Sequence, residues 1–231
     1  MSRRSFITSL PAFLLCTSLG KVAFAQMAST PIPKVPQPKA DQEGSPAIPW
    51  HETTPMPGSG DARLCRVFIS LTCPYCAQYH EALWSWSRSL PAGWGAEFIP
   101  VLVQGQDSFI QAKAIAAASK ADPSKLGEFL RSAYYALQQQ KLPTAQESTW
   151  KGIVSASGYD MEVYSAAWRA LPSDYDLVNP IVEAQSHYGI SVTPTVVVGG
   201  TYLVTPDDTH GNQALFMQLL NALVSKAVGV V

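Results

Sequence analysis

The sequence has few of the features that favour binding to nucleic acid or insertion into a membrane. Only 14% of its 231 residues are charged, and 16 basic residues stand against 17 acidic ones, so the basic excess of a nucleic-acid-binding surface is missing. The most apolar stretch without an acidic residue, 6–19, contains 14 residues. A bilayer-spanning helix needs roughly 17 to 25. We therefore expect neither a nucleic-acid partner nor stable membrane insertion.

The N-terminal residues have the pattern of a cleaved export signal. Arg3 and Arg4 precede the apolar stretch, and Ala23-Phe24-Ala25 is a small-x-small cleavage signature. We expect residues 1–25 to be removed after export. Two arginines at this position resemble a twin-arginine signal, and a Sec signal that carries two arginines is the alternative. Removal of this segment also removes Lys21 and leaves 13 basic and 17 acidic residues, a net charge of −4.

Cysteine is scarce as well, with four residues in the whole chain. Cys16 lies within the predicted signal, so Cys65, Cys73 and Cys76 remain after cleavage. Because three is an odd number, at least one thiol has no partner within the chain even in an oxidising compartment. A chain of this length with 47% apolar residues can bury a core without disulfide staples.

The order of the predicted elements separates strands from a central block of helices. Residues 26–49 contain six prolines and few large side chains, which predicts an extended tether. The apolar, β-forming stretch 64–71 predicts a buried strand. The next predicted strand, 96–103, contains Pro100, which lacks a backbone donor and so indicates a sheet edge, a bulge or a strand start.

Helical periodicity marks the other elements. The helix after the first strand has an apolar stripe formed by Cys76, Tyr79, Leu83, Trp86 and Leu90. Asp107 and Asp122, the latter followed by proline, are expected to cap two further helices. The remaining predicted elements are helices at 145–157, 160–170 and 176–188, strands at 195–198 and 201–205 joined by a turn at Gly199-Gly200, and a helix at 212–228.

This order predicts an α/β domain interrupted by helices. We expect the α/β domain to comprise residues 50–104 and 180–231. The helical insertion is expected to comprise residues 105–179.

Two cysteines stand where the first strand gives way to the first helix, as Cys73-Pro74-Tyr75-Cys76. At the start of a helix, free backbone N–H groups and the positive end of the macrodipole favour the thiolate form of Cys73. Pro74 starts the helix without loss of a needed N–H group. Cys76 lies one turn further on, where it can close a small disulfide with Cys73. Tyr75 is expected to be exposed and to touch substrate.

Three interpretations of the pair compete. A permanent staple is weak, because a ring closed over two intervening residues removes little entropy from the unfolded chain. A zinc site could use Cys65, Cys73, Cys76 and His80, although Cys65 belongs to a predicted strand and structural zinc sites usually have two paired ligand motifs. A redox-active dithiol after a strand, before a helix and in an exported chain is the interpretation that we favour. It needs no cofactor or metal beyond the disulfide itself.

The Cys-Pro-Tyr-Cys motif, followed 118 residues after Cys76 by Val192-Thr193-Pro194-Thr195 and a strand hairpin, resembles the DsbA family of periplasmic thiol-disulfide oxidoreductases. The resemblance covers about residues 50–231. It implies a thioredoxin-like fold with an inserted helical domain, and a periplasmic location. It further implies that Pro194 is cis and faces the disulfide, and that Thr193, together with Val192, contacts the bound polypeptide.

The sequence departs from the family pattern at two positions. Tyr75 replaces a histidine of the best-known members and supplies no positive charge, so we expect Cys73 to be less acidic than in those members. Val67 stands six positions before Cys73, where members often carry a buried acidic residue that relays protons.

We predict an exported enzyme that introduces disulfides into reduced, unfolded polypeptides through Cys73 and Cys76. The resemblance implies a quinone-linked membrane partner of the DsbB type as its reoxidant. One alternative is an isomerase or reductase that is kept reduced. The other is a non-enzymatic, chaperone-like or zinc-binding module. Apart from the motif, His80 and His187 are expected to be ordinary helix residues, and Cys65 a buried apolar one.

Overall fold

The computed structural model describes residues 48–103 and 107–229. The predicted signal at 1–25 lies outside these residues, as does nearly all of the predicted tether at 26–49. Within the described residues, no helix is both long enough and apolar enough to cross a membrane.

The part of the chain that the structure describes forms a five-stranded sheet. From one edge to the other, its strands are β1 (His51–Glu52), β5 (Tyr202–Val204), β4 (Thr195–Val198), β2 (Leu64–Ile69) and β3 (Gly95–Pro100). Strands β2 and β3 are parallel, and the other neighbouring pairs are antiparallel. The central strands β2 and β4 consist mainly of β-branched and other apolar residues, as strands covered on both faces do.

Helices cover the sheet and fill the middle of the chain. A π-helical turn, Tyr135–Gln139, continues the third helix, and a 3-10 turn, Pro123–Lys125, precedes it. The helices are α1 (Pro74–Ser87), α2 (Ser108–Ala121), α3 (Leu126–Tyr134), α4 (Glu147–Ala156), α5 (Met161–Arg169), α6 (Asp174–His187) and α7 (Gln213–Val228).

The alternation of side chains along β2 divides the core between the two faces of the sheet. Cys65, Val67 and Ile69 belong to the larger apolar cluster, which includes residues of α1, α3 and α7. Phe68 points to the opposite face and joins a smaller cluster with Tyr188 at the end of α6. The dithiol helix α1 is thus held on one face, and α6 covers the other.

The predicted strands are confirmed, although their ends differ. Strand β2 ends at Ile69 rather than at residue 71, and β3 covers Gly95–Pro100 rather than 96–103. Pro100 is the last residue of β3, which is an edge strand, so the missing donor costs little there. Gly199 and Gly200 both have positive φ, as the predicted tight turn requires.

Strand β1 was missed, because two exposed residues have no periodicity that a sequence can reveal. It exists through its antiparallel pairing with β5, in which His51 lies opposite Leu203. The terminal helix was found, and Asn212 caps it by accepting a hydrogen bond from the N–H of Leu215 at 3.1 Å.

The helices of the middle region also follow the prediction closely. The Asp122 side chain caps the turn before α3 by accepting from the N–H of Ser124 at 3.0 Å. The prediction for Asp107 was partly wrong: it precedes α2, but its side chain caps no N–H group of the helix and instead accepts from the Thr144 hydroxyl. In α1 the predicted stripe is buried up to Trp86, while Leu90 lies beyond the end of the helix.

In chain order, α2 to α5 lie between β3 and α6. The α/β fold with interposed helices is therefore confirmed, and the division at residues 105 and 179 into two domains stays an interpretation.

A buried ion pair ties the turn before β2 to the sheet. Arg66 donates to Asp61 at 2.8 Å, and both side chains are almost completely buried. The guanidinium of Arg66 also contacts Glu97 on β3 at 2.9 Å, and the Tyr188 hydroxyl donates to Asp61. Burial opposes the ionisation of Asp61, but the hydrogen bonds that it receives outweigh this effect and lower its pKa.

Candidate active site

Cys73 occupies the N-cap position of α1, at the point where the chain leaves the sheet. Its backbone is extended, and Pro74 begins the helix, as the sequence predicted. The sulfur therefore lies beside the free N–H groups of the first helical turn. Cys73 is partly exposed and Pro74 is exposed, so the end of the helix is accessible from solvent.

The loop before β4 packs directly against this thiol. The Cys73 Sγ atom donates to the backbone carbonyl of Thr193 at 3.1 Å. The Thr193–Pro194 peptide bond is cis, as the resemblance implied, and Pro194 is buried. Thr193 is half-buried, and Val192 is 47% exposed. Cys73 and Thr193, which are 120 positions apart in sequence, thus lie side by side in a single site.

The surroundings of Cys73 favour its thiolate. The Cys76 thiol donates a hydrogen bond to it, which is the largest influence, and partial burial opposes ionisation. The Thr193 side chain and the backbone N–H groups of Cys76 and Tyr75 add further donors. Together they lower the pKa of Cys73 to about 5. The Thr193 carbonyl acts in the other direction, since it accepts a hydrogen bond only from the protonated thiol.

Cys76 has the opposite character. It is 1% exposed, and burial together with the adjacent Cys73 sulfur raises its pKa well above that of a free thiol. Its sulfur accepts a hydrogen bond from the backbone N–H of Ser70 at 3.4 Å. The pair therefore combines an accessible, acidic sulfur with a buried one that holds its proton. Both are free thiols in this structure, so the predicted disulfide between them stays a prediction.

The four residues that were considered as zinc ligands lie in different surroundings. Cys65 is completely buried in β2, where burial raises its thiol pKa to about 12. His80 is buried, and its Nε2 atom lies 2.8 Å from the carbonyl oxygen of Gly127. Within the described part of the chain, no three His, Cys, Asp or Glu side chains converge as metal ligands would.

His187 was expected to be an ordinary helix residue, and its surroundings agree with this. His187 is exposed at the end of α6, and its Nε2 atom lies 2.8 Å from the carbonyl oxygen of Thr54.

The two positions at which the sequence departs from the family pattern differ in their exposure. Tyr75 is 61% exposed between the cysteines. Val67, at the position of the relay acid in many family members, is completely buried in β2 and offers no ionisable group. The sequence therefore located the exposed aromatic residue and the missing carboxylate correctly.

One residue at the site was missed by the sequence analysis. The side-chain amide of Gln138 donates to the carbonyl oxygens of Leu71 and Cys73, both at 2.9 Å. Gln138 lies in the π-helical turn, 65 residues from Cys73 in sequence. No sequence signal could have identified it, because it follows a regular amphipathic helix and belongs to no motif.

Comparison with known proteins places this geometry in a family. Residues 51–216 match the family described as thioredoxin. Reduced DsbA1 from Neisseria meningitidis superposes with a TM-score of 0.66 at 21% identity, over 82% of this chain and 96% of that one. DsbA from Pseudomonas aeruginosa superposes with a TM-score of 0.64 at 16% identity, over 79% and 93%.

A third similar structure is that of Proteus mirabilis DsbA in complex with a non-covalently bound peptide, PWATCDS. It has a TM-score of 0.63 at 18% identity, over 80% of this chain and 100% of that one. The chain belongs to the thioredoxin family, and its fold is that of the DsbA oxidoreductases.

Proposed function

We propose that this protein is an exported thiol-disulfide oxidoreductase that transfers its Cys73-Cys76 disulfide to reduced, extended polypeptides. The observation that carries the proposal is the asymmetry of the dithiol. Cys73 is accessible and acidic, with a pKa of about 5, whereas Cys76 is buried and holds its proton. A thiol of low pKa is a good leaving group, which favours passage of the disulfide from enzyme to substrate.

The reaction has two exchange steps. A substrate thiolate attacks the Cys73 sulfur of the disulfide, so that a mixed disulfide forms and Cys76 leaves and takes up a proton. A second substrate thiolate then attacks the substrate sulfur of the mixed disulfide, and Cys73 leaves as a thiolate. The substrate dithiol is oxidised by two electrons and the enzyme disulfide is reduced by two. Two protons leave the substrate, of which Cys76 retains one and solvent receives the other.

The loop before β4 is suited to hold an extended polypeptide next to the sulfur. The peptide group of Thr193 lies against Cys73, and the exposed side chain of Val192 offers apolar contact. Extended peptides pair with exposed backbone of this kind. The peptide bound to Proteus mirabilis DsbA contains cysteine, which supports the same class of ligand here. Tyr75 would border the substrate from the helix side.

Turnover requires an oxidant that restores the disulfide. By resemblance to the DsbA family we propose a quinone-linked membrane partner of the DsbB type. The accessible Cys73 thiolate would attack a disulfide of that partner, and Cys76 would then displace the partner's thiol and restore the Cys73-Cys76 disulfide. The location follows from the predicted signal at 1–25, and we propose the periplasm. Trapping of the thiols by alkylation in intact cells, with and without such a partner, would report whether the steady state is oxidised.

The decisive experiment is equilibration of the dithiol with glutathione, followed by oxidation of a reduced peptide that contains two cysteines. We expect the oxidised enzyme to form the peptide disulfide stoichiometrically and Cys73→Ser to form none. In Cys76→Ser, the Cys73 thiolate should attack an activated peptide disulfide and form a mixed disulfide with the peptide. This mixed disulfide should accumulate, because no Cys76 thiol is present to resolve it. If the wild-type protein transfers no disulfide and stays as inert as Cys73→Ser, the proposal is wrong.

A second candidate is favoured by one observation. Tyr75 between the cysteines together with Thr193 before the cis-proline is the combination found in the isomerase branch of the family, in which the site works in the reduced form. Steady-state trapping discriminates between the two: a reduced dithiol in the cell would identify an isomerase or reductase.

A further inference from the structure

A side chain of the helical middle region reaches the segment that carries the reactive sulfur. The Nε2 atom of Gln138 lies 2.9 Å from the carbonyl oxygen of Leu71 and 2.9 Å from that of Cys73. A primary amide carries two N–H donors on one nitrogen, so one Gln138 side chain can satisfy both carbonyls at once. The amide group is held by two hydrogen bonds, both to the backbone of the loop between β2 and α1.

The Leu71 carbonyl belongs to the peptide unit that precedes Thr72, and the Cys73 carbonyl belongs to the peptide unit that follows Cys73. The Cys73 carbonyl also accepts the first hydrogen bond of α1, from Ala77 at 3.3 Å, which is long for a bond of this type. The Cys73 N–H donates to the backbone carbonyl of Ser70 at 3.1 Å. Gln138 thus adds two hydrogen bonds from a distant part of the chain, both at 2.9 Å, to a segment whose backbone–backbone bonds to Ser70 and Ala77 are local and longer. It restricts the rotation of the peptide units that decide where the Cys73 sulfur points.

The π-helical turn puts Gln138 in this position. The N–H of Gln140 donates to the carbonyl of Tyr135, five residues earlier, instead of four as in an α-helix. The wider turn changes the direction of the side chains within it, and isolated π turns are frequent at functional sites. Leu137 is buried, Gln138 is half-buried and Gln139 is exposed, so Gln138 is the polar residue of the turn that faces the dithiol loop.

The amide also changes the electrostatics of the loop. The N–H groups of Gln138 place positive partial charge against both carbonyl oxygens of the segment that carries Cys73. This positive partial charge offsets the negative ends of the two carbonyl dipoles and so favours the anionic form of the sulfur. The best-known members of the DsbA family have a histidine between the cysteines, whereas Tyr75 supplies no positive charge, so such neutral donors matter more here.

We propose that Gln138 is a positioning residue of the dithiol, which orients the Cys73 segment from the π-helical turn and favours the Cys73 thiolate. The inference rests on the proposed function, in which Cys73 is the leaving sulfur. The hydrogen bonds of Gln138 go to backbone carbonyls and not to either sulfur. Its effect passes through the backbone of Leu71 and Cys73.

The test is a titration of the Cys73 thiolate in the reduced full-length protein, followed by its ultraviolet absorbance. Gln138→Glu keeps the shape of the side chain but presents acceptors and a negative charge to both carbonyls. We expect it to raise the pKa of Cys73 by about one unit, and Gln138→Met, which only removes the donors, by about half a unit. Gln139→Glu adds the same charge one residue away on an exposed side chain and should titrate as the wild type does.

The titration needs no polypeptide substrate, so its outcome is independent of the proposed activity. If wild type transfers no disulfide but Gln138→Glu still shifts the pKa, the proposed function fails and the positioning role stands. If the glutamate and methionine variants both titrate as wild type does, the positioning role is overturned. If neither variant folds, Gln138 is a structural residue, and the proposal is overturned too.

Discussion

The acidity of Cys73 predicts that the reduced protein gains stability as the pH rises from 5 to 7. The pKa of this thiol is about 5 in the folded protein, against an ordinary value of 9.0 in an unfolded chain. Between these values the unfolded state binds more protons than the folded state, so the free energy of unfolding rises with pH. The contribution is complete above the unfolded pKa and is lost as the pH falls through the folded one.

The magnitude follows from the size of the shift. One unit of pKa corresponds to about 1.4 kcal/mol, so the gain between pH 5 and pH 7 is at most about 2.5 kcal/mol. Because Cys73 is partly exposed, solvent screens the interaction, and we expect about half of that value. The change applies to the reduced form alone, since a disulfide has no thiol to titrate. Stabilisation of the reduced form is also what makes a disulfide oxidising.

The assay is urea unfolding of the reduced protein at pH 5, 6 and 7, with Cys73→Ser as the matched control. Serine keeps the shape of the side chain but does not titrate in this range, and both proteins share every other ionisable group. We expect the stability difference between wild type and variant to widen by about 1 kcal/mol from pH 5 to pH 7. A difference that stays constant over this range would refute the reasoning, because the folded protein would then not stabilise the thiolate.

Three further predictions follow from the packing around the site. Gly127→Ala would drive a methyl group into the indole of Trp84 on α1, and should lower the free energy of unfolding by about 1–3 kcal/mol; unchanged urea unfolding would contradict this close contact. Asp61→Ala should lower the free energy of unfolding by about 3 kcal/mol, because Arg66 keeps only Glu97, its exposed partner. If urea unfolding shows a loss no larger than that expected for an exposed ion pair, the buried pair contributes little. Near pH 6, iodoacetamide should label Cys73 of the reduced protein but neither Cys65 nor Cys76, and equal labelling of Cys76, detected by mass spectrometry, would contradict the assigned asymmetry.

The elements themselves could be predicted because each has a local signature. The strand before the motif, the helix after it and the hairpin at Gly199-Gly200 all depend on residues close together in sequence. The same holds for the position of Cys73 at the start of a helix, which proline at the next position makes the preferred start. Exposure of Tyr75 and burial of Cys76 then follow from the helical period.

Other features of the fold depend on contacts that no local pattern encodes. Strand β1 is two residues long and exists only through its pairing with β5. The ion pair of Asp61 and Arg66 forms because burial makes any unpaired charge costly, and the sequence does not show which charges become buried.

The sequence alone therefore determined which sulfur lies at the start of the helix and which is buried, since those properties depend on a strand-to-helix junction within a few residues. The tertiary structure decided how the Cys73 sulfur is held. It brings Thr193 within 3.1 Å of Cys73 and places Gln138 against the carbonyls of the same segment. The physical reason is that hydrogen bonds between distant parts of a chain form only after the apolar faces of its helices and sheet have packed. The local sequence around one partner therefore does not identify the other.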